Sequence, residues 1–276
     1  MAVPDHLAAL GLREQPFGLS PEARFLVERG DHREGLARIL FGLSQLGGIV
    51  LITGEIGAGK TVLAGSVRRA LDGEGFQVLA VANPPRTPAA LLSALLAGPD
   101  GDAPGGGTAR LAGRLRQRIA FAEALGRRTI IVIDEAQRLN GAALDELRLM
   151  TNPDEGPGAG VVLLGQPELS RLVERRPQVA QRVVVRYHMH AMTEEEVATY
   201  VDRRSRVAGA AQPLFSRRAA RAIHRETGGL PRLVNLVSAN ALFVAATRGL
   251  DRVDEDVVMD VVEDRRESER DAGAAS

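Results

Sequence analysis

The segment Gly54-Glu55-Ile56-Gly57-Ala58-Gly59-Lys60-Thr61 constrains the fold of this chain more than any other stretch. It fits G-x-x-x-x-G-K-[ST], a loop whose glycines let backbone N–H groups turn inward around phosphates. Its flanks agree. Residues 48–53 form an apolar, β-branched run of strand length, and residues 60–71 read as a helix. A strand that passes through such a loop into a helix holds an anion at the helix N-terminus, where the backbone dipole favours it. Lys60 is the one lysine of the chain; the other 34 of its 35 basic residues are arginine. A compact ammonium on a slim stem reaches between phosphate oxygens where a planar guanidinium fits badly. The segment therefore predicts a nucleoside triphosphate site. In it Lys60 meets the β- and γ-phosphates and the Thr61 hydroxyl ligates Mg²⁺.

The rest of the chain fits that start. Further β-branched runs at 77–82, 129–133, 161–164 and 183–187 alternate with helical stretches at 87–96, 109–125 and 140–150. This is the pattern of a five-stranded parallel sheet covered on both faces. Thr87-Pro88 reads as an N-cap followed by proline at the first helical position, and Asn140 as a second cap. Residues 98–107, with three consecutive glycines, read as a surface loop. After His190 the strands cease. Thr193-Glu194-Glu195-Glu196 resembles a capping box, and helices are predicted near 194–207, 216–226, 231–247 and 254–266. The expected division is an α/β domain over 1–190, including the N-terminal segment, and an all-helical domain over 191–266. A charged, small-residue tail over 267–276 is expected to be disordered.

Composition removes several function classes. The chain has no cysteine, so disulfides, thiolate zinc sites and thiol catalysis are excluded. Its formal net charge is zero, which gives no global field toward nucleic acid or an anionic membrane. The N-terminus lacks the basic and apolar regions of a secretory leader, and no apolar run approaches the roughly 18 residues of a membrane span. A cytoplasmic protein is expected.

The run over 129–133 ends in Asp134-Glu135. Four apolar residues followed by two acids put both carboxylates at the C-terminal edge of the sheet, beside the phosphate loop. Asp134 is expected to hold Mg²⁺, and Glu135 to orient and polarise an attacking water as general base. A base beside the metal ligand argues for hydrolysis. His188 and His190 lie two apart on a strand without further ligands, and are read as structural or solvent-facing. Arg217, Arg218, Arg221 and Arg225 recur at helical spacing; a solvated charged face is preferred over a nucleic-acid contact.

With these motifs in order, the chain resembles the AAA+ ATPases, and within them the ExeA-like (general secretion pathway component A) family. The resemblance spans residues 8–262. It is carried by Gly11-Leu12-Arg13-Glu14-Gln15-Pro16-Phe17, Asp31-His32-Arg33-Glu34, the phosphate loop, Asp134-Glu135-Ala136-Gln137, Gly165-Gln166-Pro167-Glu168-Leu169, Gln181-Arg182-Val183, and Gly228-Gly229-Leu230-Pro231-Arg232-Leu233-Val234-Asn235. It implies a P-loop AAA+ core followed by a small helical lid. It also implies roles for single residues. Gln166 is sensor 1 on the γ-phosphate or the attacking water. Arg182 is an arginine finger acting on the neighbouring subunit's nucleotide. Arg232 is sensor 2 in the lid, and Asn83 is a switch that holds Glu135 away from water. Phe17 and the segment to Arg33 are implied to pack around adenine. The implied function is an oligomerising ATP-hydrolysing switch or motor for a secretion, pilus or surface-polysaccharide export system. A DNA-binding regulator of transposition, similar to TnsC and TniB, is the alternative. Family members that act at the cell wall continue into a transmembrane helix and a peptidoglycan-binding region. This chain ends after the lid, so a soluble accessory is the expectation.

Overall fold

The structure, a computed structural model, describes residues 5–18, 23–25, 30–46, 48–73, 75–97, 103–152 and 157–274. Helices α1 (Asp5–Ala9) and α2 (Gly30–Phe41) precede strand β1 (Ile49–Gly54). Alternation follows: α3 (Lys60–Leu71), β2 (Phe76–Val81), α4 (Pro88–Leu96), α5 (Thr108–Ala124) and β3 (Arg128–Ile133). Then come α6 (Gly141–Met150), β4 (Gly160–Gly165), α7 (Glu168–Glu174), α8 (Pro177–Ala180) and β5 (Val183–Met189). Four helices complete the order: α9 (Glu194–Val207), α10 (Arg217–Thr227), α11 (Pro231–Thr247) and α12 (Glu255–Ala274).

The five strands form one parallel sheet in the order β2-β3-β4-β1-β5. Alternation along the strands sorts the core into two layers. Ile49, Leu51, Ile131, Ile133, Val161 and Leu163 pack with residues of α4, α5 and α6; Val50, Ile52, Ile130, Val132, Val162 and Leu164 pack with α2 and α3. Every residue of β1 and β4 is buried, as expected of central parallel strands covered on both faces. The chain crosses between β1 and β4 in this order, so the C-terminal ends of β1, β3 and β4 lie side by side. That edge is where an open α/β sheet binds its ligand.

The chain divides into two compact units, Gly30–His190 and a second made of Met1–Arg29 with Ala191–Ser276. The first expectation to be corrected is the placement of the N-terminal segment in the α/β domain. Leu7, Leu10, Leu12, Phe17 and Phe25 share one buried cluster with residues of α9 to α12. Arg204 fixes the connection. Its Nε donates to the Pro16 carbonyl at 2.6 Å, its Nη1 donates to the Tyr200 hydroxyl at 2.6 Å, and its guanidinium lies over the rings of Phe17, Phe25 and Tyr200. A buried cation is thereby satisfied by a carbonyl, a hydroxyl and three π-faces. Phe17, only 2% exposed, packs edge-on against Phe215 at 5.7 Å. Its ring is spent in this core and is not open to a base. Residues 19–22 and 26–29 of the same segment lie outside the described residues.

The tail is corrected as well: α12 runs on to Ala274 instead of ending near 266. Val257, Val258, Val261 and Val262 bury its first half, and Arg266 pairs with Glu226 at 2.6 Å. A helix so nucleated propagates cheaply through residues such as Glu267 and Arg270. The capping box at the start of α9 is present, with Thr193 and Glu196 bonding each other's backbone N–H. Asn140 Oδ1 accepts from the Ala143 N–H at 2.9 Å, whereas Thr87 precedes Pro88 without a side-chain cap. Residues 98–102 of the expected loop lie outside the described residues.

Candidate functional site

The site grows from the end of β1. Between Gly54 and Lys60 the chain turns through Gly57 and Gly59, whose φ of 84° and 104° lie in the left-handed region that favours glycine. Gly59 is also the N-cap of α3, and no side chain caps that helix. The loop thus leads into an uncapped N-terminus, a ready anion site. Gly54 is narrow for a reason of its own: a Cβ there would lie 3.0 Å from the Met189 carbonyl of neighbouring β5.

Lys60, 5% exposed, folds back into the loop and donates from Nζ to the carbonyls of Gly54 at 2.8 Å and Glu55 at 2.9 Å. Burial holds its ammonium below the ordinary lysine range, against the opposing pull of Glu135, Asp134, Glu55 and Glu168. The cation is therefore held by two carbonyls of its own loop, within the field of four acids.

Thr61, one residue on, joins this loop to the third strand: its Oγ1 donates to Asp134 Oδ2 at 2.7 Å. The other carboxylate oxygen of Asp134 accepts from the Glu135 N–H at 2.9 Å. Asp134 is 4% exposed, and burial pushes its carboxyl above the ordinary aspartate range in spite of those two bonds. The hydroxyl and the carboxylate expected to share Mg²⁺ are in direct contact. Hard oxygen donors of this kind, one hydroxyl and one carboxylate, suit Mg²⁺ completed by phosphate oxygens and water. The residues present fit that ion.

Glu135 has φ 55° and ψ 35°, and among the described residues it is the one non-glycine with positive φ. Such backbone strain persists only where surrounding contacts fix it. The contact that fixes this side chain was not among the expected site residues. Gln137 Nε2 donates to Glu135 Oε2 at 2.6 Å, and Gln137 Oε1 accepts from the Gln166 N–H at 3.2 Å. Gln166, the expected sensor, stands at the end of β4, next to Gly165. A Cβ on Gly165 would meet Gln137 Oε1 at 2.6 Å, so this glycine makes room for the amide. Gln137 was legible only as one letter of a motif. What it touches depends on the tight turn over Ala136–Arg138.

Arg182 and Asn83 stand apart from this group. Arg182 precedes β5, whose first residue pairs with Ile49 and whose last pairs with Gly54. Six residues of strand, about 20 Å, separate it from the phosphate loop of its own chain. Its Nη2 donates to Asn152 Oδ1 at 3.1 Å. Asn83 is exposed beyond β2, and its Oδ1 accepts from Arg138 at 3.3 Å instead of engaging Glu135. Arg232 belongs to the other unit, where it is exposed and follows Pro231, the first residue of α11. His188 Nδ1 lies 3.0 Å from Thr53 Oγ1, and His190 lies beside Asp31.

Comparison with known proteins agrees with this geometry. Residues 26–173 match the family described as AAA domain. The chain is 38% identical over 252 residues to general secretion pathway protein A of Aeromonas hydrophila, covering 88% of this chain and 45% of that protein. It thus spans about half the length of the curated relative it matches. Among solved structures, CDC6P from Pyrobaculum aerophilum superposes with a TM-score of 0.67 at 17% identity, over 85% of this chain and 67% of that one. The ORC2 protein of Aeropyrum pernix gives 0.65 at 20% identity, over 86% and 68%. The RuvB Holliday junction branch migration motor of Thermotoga maritima gives 0.57 at 17% identity, over 86% and 69%. At these identities the structures share the fold alone: a five-stranded parallel sheet followed by helices.

Proposed function

The chain belongs to the AAA domain family, which binds nucleotide, and from that premise we propose that it is an ATP hydrolase whose site is completed by a second copy of itself. One observation carries the reading: the 2.7 Å contact of Thr61 with Asp134, which ties the phosphate loop to the strand end bearing Glu135. In this reading the backbone N–H groups of Gly54, Glu55, Ile56, Gly57, Ala58 and Gly59 and the Lys60 ammonium hold the ATP phosphates. Lys60 then exchanges its two carbonyl partners for phosphate oxygens. Thr61 and Asp134 hold Mg²⁺, which when bound neutralises charge on the β- and γ-phosphate oxygens.

Glu135 accepts the proton of the water that attacks the γ-phosphorus as the bond to ADP breaks. Gln166 contacts the γ-phosphate, and Arg232 keeps the sensor role that the family resemblance implies. Arg182, about 20 Å from its own loop by strand geometry, serves a neighbour's nucleotide. Fingers of this kind are worth on the order of 10³–10⁵ in rate. Kinship with general secretion pathway protein A supports service to an export machine through protein partners of the cell envelope. Among the described residues no helix is long and apolar enough to cross a membrane, which accords with a cytoplasmic role. Two of the four arginines considered for DNA are engaged internally: Arg221 pairs with Glu194, and Arg225 with Glu226 and Glu255. A gel shift at low salt, with a non-hydrolysable ATP analogue, tests that alternative, and no retardation is expected.

Mixing tests the shared site. Arg182→Ala and Lys60→Ala chains should each be inactive alone and regain ATPase activity together. Of the two kinds of mixed contact, the one that joins the intact loop of the first to the intact Arg182 of the second is complete. Failure of every mixing ratio to restore activity refutes action between subunits.

A further inference from the structure

We propose that Gln137 is a positioning residue that sets the Glu135 carboxylate and links it to the strand end carrying Gln166. The inference rests on the hydrolytic reading above and adds to it a residue that the expected site did not contain. The geometry admits one orientation of the amide. Glu135 Oε2 can only accept and the Gln166 backbone N–H can only donate. The amide must therefore turn its Nε2 to the acid, at 2.6 Å, and its Oε1 to the backbone, at 3.2 Å. No other uncharged side chain of that length offers a donor and an acceptor in one plane.

Three further observations place this bridge in the site. Glu135 has a left-handed backbone, so its direction relies on contacts beyond its own residue. The bridge holds one carboxylate oxygen and leaves the other to accept from water. Gly165 has no side chain where a Cβ would displace Gln137 Oε1. Asn83, which the family resemblance suggested for control of Glu135, is held by Arg138. Displacement of the β4 end by contact of Gln166 with a γ-phosphate is thus passed to the base through a single amide.

The test compares ATP turnover and ATP affinity in the full chain. Gln137→Leu removes both bonds at nearly constant volume. We expect kcat to fall by about tenfold or more, the usual scale of losing the aim of a reacting group, with the Kd for ATP unchanged. In a Glu135→Gln background the same substitution should have no further effect on the residual rate. Gly165→Ala is an independent perturbation, since its Cβ would lie 2.6 Å from Gln137 Oε1 and 2.8 Å from Leu169 Cδ2, both ends of flexible side chains. It should lower kcat in the same way without weakening ATP binding, and it carries the test if Gln137→Leu does not fold. Three results overturn the assignment: an unchanged kcat, a loss of equal factor in the Glu135→Gln background, or a Kd that weakens in step with kcat. If the unsubstituted chain turns over no faster than Glu135→Gln, the hydrolytic reading itself fails and this role falls with it. The unsubstituted rate and the variant ratio report the two failures separately.

Discussion

Two consecutive glycines in the helical unit offer a quantitative test of how the turn before Arg232 is built. Gly228 and Gly229 both have left-handed φ, 58° and 72°. Alanine in that region costs about 1–2 kcal/mol from backbone sterics alone. Nothing lies within 4 Å of a Cβ on Gly228, so Gly228→Ala should cost only that. A Cβ on Gly229 would lie 2.0 Å from the Met192 carbonyl oxygen and 3.0 Å from the Met192 nitrogen, and both are backbone atoms that cannot rotate away. Relief requires the two segments to part. That breaks the bond from the Met192 N–H to the Gly229 carbonyl at 2.9 Å, a net loss of about 1 kcal/mol, and exposes packing behind it. Gly229→Ala should therefore cost about 3 kcal/mol or more. Hydrogen exchange read by mass spectrometry separates the units: peptides of α11 report the helical unit and peptides of β1 and β4 the sheet. At about 1.4 kcal/mol per factor of ten, α11 should exchange over a hundredfold faster in Gly229→Ala and about tenfold faster in Gly228→Ala. Exchange in β1 and β4 should be unchanged in both. Equal effects from the two substitutions would refute the steric argument.

Two further outcomes follow from local contacts. The Tyr187 hydroxyl donates to Asp31 Oδ1 at 2.7 Å, and burial, then this bond, raise the phenol well above the ordinary tyrosine value of about 10. The folded state thus keeps a proton that the unfolded chain releases; the stabilisation is full below about pH 10 and is lost as pH rises through the folded value. Ultraviolet titration of tyrosinate, with Tyr187→Phe as reference, should show Tyr187 ionising late, and a midpoint near 10 would contradict this. Asn140→Ala removes the cap bond to the Ala143 N–H and should cost about 1 kcal/mol, whereas Asn140→Asp should be near neutral. Thermal unfolding of the pair checks it, and equal midpoints would sink the cap assignment.

What the sequence disclosed divides by the range of the interactions involved. The phosphate loop and Asp134-Glu135 were legible because each is a local pattern between elements of unambiguous period, and parallel strands then carry both to one edge. Apart from the C-terminal end of α12, the limits of the predicted strands and helices came within a few residues for the same reason. The N-terminal segment was misplaced because its partners lie far away: Pro16 and Arg204 are 188 residues apart, and a buried arginine among aromatic rings carries no sequence signal. Helices α7 and α8, of seven and four residues, are too short for periodicity to show. Gln137 stood in a recognised motif, yet its role depends on the left-handed turn at Glu135 and on the absent side chain of Gly165. Neither follows from residue type. For Arg182, strand register supplied what sequence could not, its separation from the phosphate loop of its own chain.

The central claim is that Glu135 turns bound ATP into products at a site held together by Thr61 and Asp134. The most direct measurement is the ATPase rate of the chain with Mg²⁺, beside that of Glu135→Gln, with ATP affinity measured for both. Glu135→Gln is expected to bind ATP as tightly as the unsubstituted chain and to hydrolyse it about 10² to 10⁴ times more slowly, the usual contribution of a general base. Equal rates in the two proteins, or loss of ATP binding along with activity, would contradict it.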